Sequence, residues 1–235
     1  MPFNPTLSVV IPCYGMNSKG ASLLEYSLQI LENQTFKDFE VVITDHSIDT
    51  DNGVYNVAEA WKTKLDIQYF RNGKGIGIAP VNINFGLIVS RGKIIKILCQ
   101  DDYLYDTNSL QVIVDAFDDT TKWLVTTYIH SKDKVNHINR HLPSLNPNIG
   151  IVNTIGTLST LAFLNKDILL YDENLKFAYD CEYYARLVKK FGPPKILDVI
   201  TMVNYLWEGQ TTNILTNGAL IQQETAYINE KLKNA

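Results

Sequence analysis

Apolar positions along this chain follow two alternating rhythms. Residues 7–12, 39–44, 65–70 and 93–99 are short, β-branched and nearly continuous in apolar character, the pattern of strands buried on both faces. Between them lie stretches of helical period. Residues 21–33 place Leu23, Leu24, Leu28 and Leu31 on one face, and 54–64 and 78–90 read as helices too. Strands alternating with helices at this spacing predict right-handed βαβ units on a parallel sheet.

The second half is less regular. A helix over 107–117 and a strand over 123–128 are expected, then a polar stretch, 130–148, with Pro143, Pro147 and no period. It reads as a long surface loop, and long loops are often functional. An apolar segment over 155–164, a helix over 179–191, a break at Gly192-Pro193-Pro194, a strand over 196–203 and a C-terminal helix from about 218 complete the pattern. No internal repeat or low-complexity tract interrupts it. The fold class expected is α/β: a regular nucleotide-type half (1–103) with a mostly parallel sheet, joined to a less regular second half (104–235) in one domain of 235 residues.

Composition adds exclusions. With 46% hydrophobic, 20% charged and 11% aromatic residues the chain is an ordinary globular one, neither disordered nor fibrous. A net charge of -4 supplies no overall basic field for nucleic acid. The three cysteines, Cys13, Cys99 and Cys181, are too scattered for a disulfide framework or zinc site and read as small buried thiols. Met1-Pro2-Phe3-Asn4 carries no basic leader region, and no run approaches the roughly 20 apolar residues of a membrane span, so a cytoplasmic protein is expected.

In parallel sheets ligands bind beyond the carboxyl ends of the strands, and polar residues gather there: Cys13-Tyr14, Asp45-His46-Ser47, Arg71-Asn72-Gly73-Lys74 and Gln100-Asp101-Asp102. Asp101 and Asp102 suit a hard divalent cation, which takes one or two carboxylates plus substrate phosphates. Either can also cap the following helix or sit in a turn. Asp45 can accept from a base N–H or a ribose hydroxyl, or serve a turn, as Asp49 or Asp51 does. Arg71 and Lys74 in a glycine-rich stretch can bind phosphate; a simple connecting turn explains them equally. Asp180, in the first turn of a helix, is either a general base or a carboxylate favoured there by the helix dipole. The four histidines, His46, His130, His137 and His141, show no metal-ligand spacing, and those in the polar stretch are expected at the surface. Residues 207–212 are open to reading as a loop or a sugar platform.

Taken in order, these segments resemble the inverting glycosyltransferases of family 2, which have the GT-A fold. The resemblance runs over roughly 7–212. It is carried by Ser8-Val-Val-Ile-Pro-Cys-Tyr14, the segment from Gln34 to Asp45, Asn84-Phe-Gly86 with Arg91-Gly92, Leu98-Cys-Gln-Asp-Asp-Tyr103, Asp172-Glu-Asn-Leu, and Tyr179-Asp180 leading to Leu187. It implies a nucleoside-diphosphate-sugar donor, a UDP-sugar first among them, Mn2+ or Mg2+, and a glycan, lipid-linked or protein acceptor. Carried over, Asp45 contacts the nucleobase, Asp101 binds the metal with Asp102 in support, and Asp180 deprotonates the acceptor. Pro12, Tyr14 and Gln100 line the donor, with Arg71 and Lys74 beside them. The chain departs from the pattern at Cys99, where the family has the first aspartate of its DxD, at Tyr179, and at Trp207-Glu208, where a histidine is common and Glu208 is a weak candidate ligand. The departures leave two rivals: a sugar- or nucleotide-binding homologue without turnover, and a sugar nucleotidyltransferase.

Overall fold

The computed structural model describes residues 5–48, 50–210, 213 and 218–234. Asp49, Thr211, Thr212 and the Met1–Asn4 leader reading lie outside them. The elements run β1 (Leu7–Cys13), α1 (Gly20–Glu32), β2 (Phe39–Asp45), α2 (Gly53–Trp61), β3 (Ile67–Arg71), α3 (Ala79–Val89), β4 (Ile94–Ile97), β5 (Tyr103–Leu104), α4 (Ser109–Asp115), β6 (Trp123–Ser131), β7 (His137–His141), β8 (Leu161–Leu164), α5 (Tyr179–Phe191), β9 (Lys195–Tyr205) and α6 (Gly218–Asn234).

Among the described residues nine strands form one sheet in the order β3-β2-β1-β4-β8-β6-β9-β5, with β7 beside the far end of β6. The first four pair in parallel, as the βαβ rhythm requires. From β8 onward the sheet is mixed: β8 runs antiparallel to β4 and β6, while β9 runs parallel to β6. Alternate side chains of the first strands enter opposite cores. Leu7, Val9 and Ile11 of β1 meet Leu24, Leu28 and Leu31 of α1, whereas Val10 meets Ile83 and Leu87 of α3. Burial on both faces is why these strands read as unbroken apolar runs.

The resemblance segments have structural causes. A Cβ on Gly92 would lie 2.5 Å from the Ser8 nitrogen and one on Gly86 2.5 Å from Val10 Cγ1, so backbone and sheet meet where only glycine fits. Asn82 Nδ2 donates to the carbonyls of Cys13 and Thr44, tying the ends of β1 and β2. Asn84 exchanges two hydrogen bonds with the Tyr171 backbone, docking the segment that leads to α5.

One expectation is corrected. Residues 130–148 are not wholly loop: β6 continues to Ser131, and His137–His141 is a strand paired with it. Four of the five β7 side chains are exposed, so no apolar alternation marked it. Of the histidines there, His137 is exposed but His130 is half-buried with its Nδ1 enclosed. The thiol reading holds for Cys13 and Cys181, which are free and buried; Cys99 is free and partly exposed.

Candidate active site

The ends of β1, β2 and β4 meet the start of α5 and the loop before β8. After β1 the chain turns through Met16, Asn17 and Ser18, three consecutive residues with left-handed φ of 46°, 52° and 72°. Such strain in non-glycine residues persists only where surroundings impose it, and it clusters at ligand sites. Gln100 imposes part of it. Its side chain, 1% exposed, accepts from the Tyr14 amide at 2.9 Å and donates to the Gly20 carbonyl at 2.8 Å. Gln100 therefore braces the loop after β1, and both halves of its amide are engaged by backbone. Pro12 lies within β1 itself. Tyr14 is partly exposed, and burial, then the nearby Asp101 charge, raises its pKa.

Asp45 is fully buried. Ser47 N donates to its Oδ1 at 2.8 Å, the Tyr69 hydroxyl donates to Oδ2 at 2.7 Å, and the Arg71 guanidinium stands 3.3 Å from Oδ2. Arg71 also donates to Tyr69 Oη and to the carbonyls of Ile48 and Asp51. The expected phosphate cation is thus turned onto the carboxylate expected to read the base. Lys74 is exposed, in a turn closed by its amide on Asn72 Oδ1.

The two adjacent aspartates separate in role. Asp102 is 1% exposed; its Oδ1 accepts from Asn204 Nδ2 (2.8 Å) and Tyr205 N (3.2 Å), and its Oδ2 from Thr157 Oγ1 (3.0 Å). Burial first, and then the Asp101 charge, push its pKa up to about 7. Both Asp102 oxygens are thus engaged by donors of the fold, whereas Asp101 keeps one oxygen without a donor from another residue among its described contacts. Asp101 is partly exposed, and Trp207 Nε1 donates to its Oδ2 at 2.9 Å. Among the described residues no three His, Cys, Asp or Glu side chains converge as a metal cage. The fit is therefore to a hard cation held by one carboxylate and substrate phosphates. Glu208 does not join it: its exposed side chain pairs with Lys19 at 3.5 Å, and the Lys19 ammonium also lies 5.2 Å from the Trp207 ring.

Asp180 opens α5. Asn153 Nδ2 donates to its Oδ2 at 2.7 Å and Cys181 N to its Oδ1 at 2.7 Å; desolvation by its surroundings outweighs these donors and pushes its pKa up to about 6. Beside Asp180 in the same turn, Tyr179 is buried, and burial first, then the nearby Asp180 and Asp101 charges, hold its phenol far above the ordinary range. A carboxylate at that place poised near neutrality is suited to taking a proton.

Sequence reasoning missed Asn153, Thr157, Ser159 and Lys96. Ser159 Oγ accepts from Cys99 N at 2.8 Å, and its carbonyl accepts from Lys96, a fully buried lysine whose pKa burial lowers to about 7. The one local signal was Asn153 ahead of Gly156, an Asx-type turn in which Asn153 Oδ1 accepts from the amides of Ile155 and Gly156.

A family model described as Glycosyl transferase family 2 matches residues 8–181. Over 102 residues the chain is 33% identical to the GalNAc(5)-diNAcBac-PP-undecaprenol beta-1,3-glucosyltransferase of Campylobacter jejuni, covering 43% of this chain and 31% of that enzyme. Among solved structures, S. aureus TarS 1-349 in complex with UDP-GlcNAc is similar with a TM-score of 0.74 and 19% identity, over 98% of this chain and 67% of that one. The mannosyltransferase PcManGT from Pyrobaculum calidifontis, in complex with GDP-Man and Mn2+, gives 0.58 and 17%, over 88% and 59%. The chain thus spans about a third of the Campylobacter enzyme's length.

Proposed function

This chain belongs to glycosyl transferase family 2 and has a GT-A fold, and from that premise we propose that it transfers one hexosyl unit from a nucleoside-diphosphate-sugar to an acceptor hydroxyl, with inversion and with metal assistance. The observation that carries the reading is a pair of carboxylates at the site: Asp180, held by Asn153 at the start of α5 with its pKa pushed up to about 6, and the partly exposed Asp101 after β4. The donor class is a UDP-sugar first, with a GDP-sugar the next choice, since relatives of this fold hold UDP-GlcNAc and GDP-Man with Mn2+. The acceptor is a glycan, lipid-linked or protein hydroxyl, and the Campylobacter relative's polyprenyl-diphosphate acceptor favours the lipid-linked class. No described helix is long and apolar enough to cross a membrane.

Asp101 would hold Mn2+ or Mg2+ against the donor diphosphate, and the ion would supply charge neutralisation to the departing phosphate. Asp102, held by Thr157, Asn204 and the Tyr205 amide, fixes the turn that carries Asp101. Tyr14 and Pro12 border the donor; Asp45, braced by Arg71 and Tyr69, faces the base, and Lys74 lies beside it. Asp180 takes the proton of the acceptor hydroxyl. That oxygen bonds to the anomeric carbon as the carbon's bond to the diphosphate breaks on the opposite side, and the nucleoside diphosphate leaves. Positioning by α5 and the 153–160 segment supplies much of the rate.

Cys99, where the family has the first aspartate of its DxD, and Tyr179 favour one second reading, a homologue that binds without turnover. Incubation with UDP-GlcNAc, UDP-glucose and GDP-mannose plus Mn2+ and a polyprenyl-diphosphate-linked saccharide as acceptor, read by nucleoside-diphosphate release and by NMR of the new anomeric centre, separates the two. A β-linked product from an α-linked donor supports inverting transfer. Retention overturns inversion, and absence of release with all three leaves the binding homologue. Consumption of a nucleoside triphosphate and a sugar phosphate instead identifies the nucleotidyltransferase.

A further inference from the structure

The C-terminal helix carries a carboxylate that the site as described does not use. Glu224 of α6 is 4% exposed and carries no cation partner among its described contacts. Its oxygens accept from three consecutive backbone amides: Lys176 N at 2.7 Å and Phe177 N at 3.4 Å on Oε1, Phe177 N at 3.0 Å and Ala178 N at 2.8 Å on Oε2. These amides lie immediately before α5, whose N-cap, Ala178, has no side chain able to cap the helix. Two residues later comes Asp180.

The same helix grips this segment at two further points. Lys231 bridges Asp172 and the fully buried Glu182, and the Tyr227 hydroxyl donates to Asp172 Oδ2 at 2.8 Å. The chain from Asp172 to Glu182 is thereby fastened to α6 before, at and after the turn that presents Asp180. A carboxylate accepting from several backbone amides is a strong, geometrically exacting contact, and a shift of about 1 Å in a reacting group can cost on the order of 10²-fold in rate.

We propose that Glu224 is a positioning residue for Asp180: by holding the amides of residues 176–178, it fixes the start of α5 and keeps the Asp180 carboxylate in place against Asn153. The proposal rests on the reading of Asp180 as the base and extends it, assigning to α6 the task of setting that base. Groups facing Asp180 are Asn153 from the loop before β8, Tyr171 from the segment before α5, and Tyr179, Cys181 and Tyr184 of α5 itself; burial keeps the four titratable ones neutral where a carboxyl titrates.

The test needs no substrate. Carbon-13 carboxyl NMR of the whole chain, with the resonance identified by its loss in Asp180→Asn, follows the Asp180 titration directly. Glu224→Gln keeps the shape but places an NH2 group against backbone N–H donors. It should move the Asp180 midpoint down by about one pH unit as water reaches the carboxyl. Amide exchange in β1, β2 and α3 should stay unchanged. Glu224→Asp, which keeps the anion one methylene back, should shift it less and in the same direction, and serves if the glutamine variant fails to fold. An Asp180 titration unmoved in the folded variants overturns the proposal, as does a shift accompanied by equally faster exchange across the donor-side strands, which marks general loosening. Transfer surviving Asp180→Asn would instead remove the base reading and leave the titration result standing.

Discussion

The side-chain amide of Asn153 donates to Asp180 Oδ2 at 2.7 Å, and its partner contact four residues on, Thr157 to Asp102 at 3.0 Å, continues the same stretch of chain to the other side of the site. Ser159 extends it again, to Cys99 N and to buried Lys96. One short segment therefore sets the separation between the proposed base and the carboxylate that supports the metal ligand. Loosening it at one end should misplace one group and spare the other.

Asn153→Ala tests the base end. The loss of its donor and of the Asx turn should lower kcat on the order of 10²-fold by misplacing Asp180, with donor affinity within about threefold of wild type, a difference of less than ~1 kcal/mol. Steady-state rates and calorimetric donor binding, measured together, check it.

Asp180→Asn should reduce transfer by on the order of 10³-fold, the scale of a lost general base, while nucleotide-sugar binding persists. In the wild type the base works only when deprotonated. With its pKa pushed up to about 6, kcat should rise with pH through about 6 and level off above it. A profile already flat below pH 5 removes Asp180 from the proton transfer.

Arg71→Ala strips the cation from Asp45, a carboxylate with no solvent exposure. A buried acceptor left short of a partner costs about 1–3 kcal/mol, so the melting temperature should fall by several degrees, and nucleotide affinity should fall with it. Tyr69→Phe removes one of the neutral contacts on the same oxygen and should cost less. Equal stability of Arg71→Ala and wild type contradicts the bracing role.

Lys96 predicts a pH dependence of stability. Its pKa is lowered in the folded chain to about 7, from the usual 10.5, by burial. Between those values the unfolded chain binds the extra proton, so stability should rise as pH rises from about 7 toward 10. Lys96→Met removes that term, and urea titrations at pH 7 and 9 should show a smaller gain than wild type.

The parallel half was legible because β1, β2 and β4 are buried on both faces, which writes burial directly into the sequence: β2 is buried throughout and ends at Asp45. Where burial is weak the signal fails. β7 pairs through its backbone while its side chains face solvent, and the two-residue β5 is too short to show a period. Asp101 and Asp180 stood out as candidates at a strand end and a helix start, and the family resemblance, not position alone, gave Asp180 its role. Asn153, Thr157 and Glu224 did not stand out, because their meaning lies in which distant atoms they meet, 27, 55 and 46 residues away in sequence. Arg71, beside glycines, left phosphate binding and a connecting turn equally open, and the fold sets its guanidinium 3.3 Å from the buried Asp45 carboxylate.

The most direct test of a metal-assisted donor site is thermal stabilisation of the whole chain by UDP-, GDP-, dTDP- and CMP-sugars, each with and without Mn2+, in wild type and Asp101→Ala. A ligand at 100 times its dissociation constant adds about 2.7 kcal/mol, a shift of several degrees. The account predicts stabilisation by one nucleotide class, with a manganese-dependent part that disappears in Asp101→Ala. Stabilisation by none of the donors, or a manganese effect that survives loss of the Asp101 carboxylate, would contradict it.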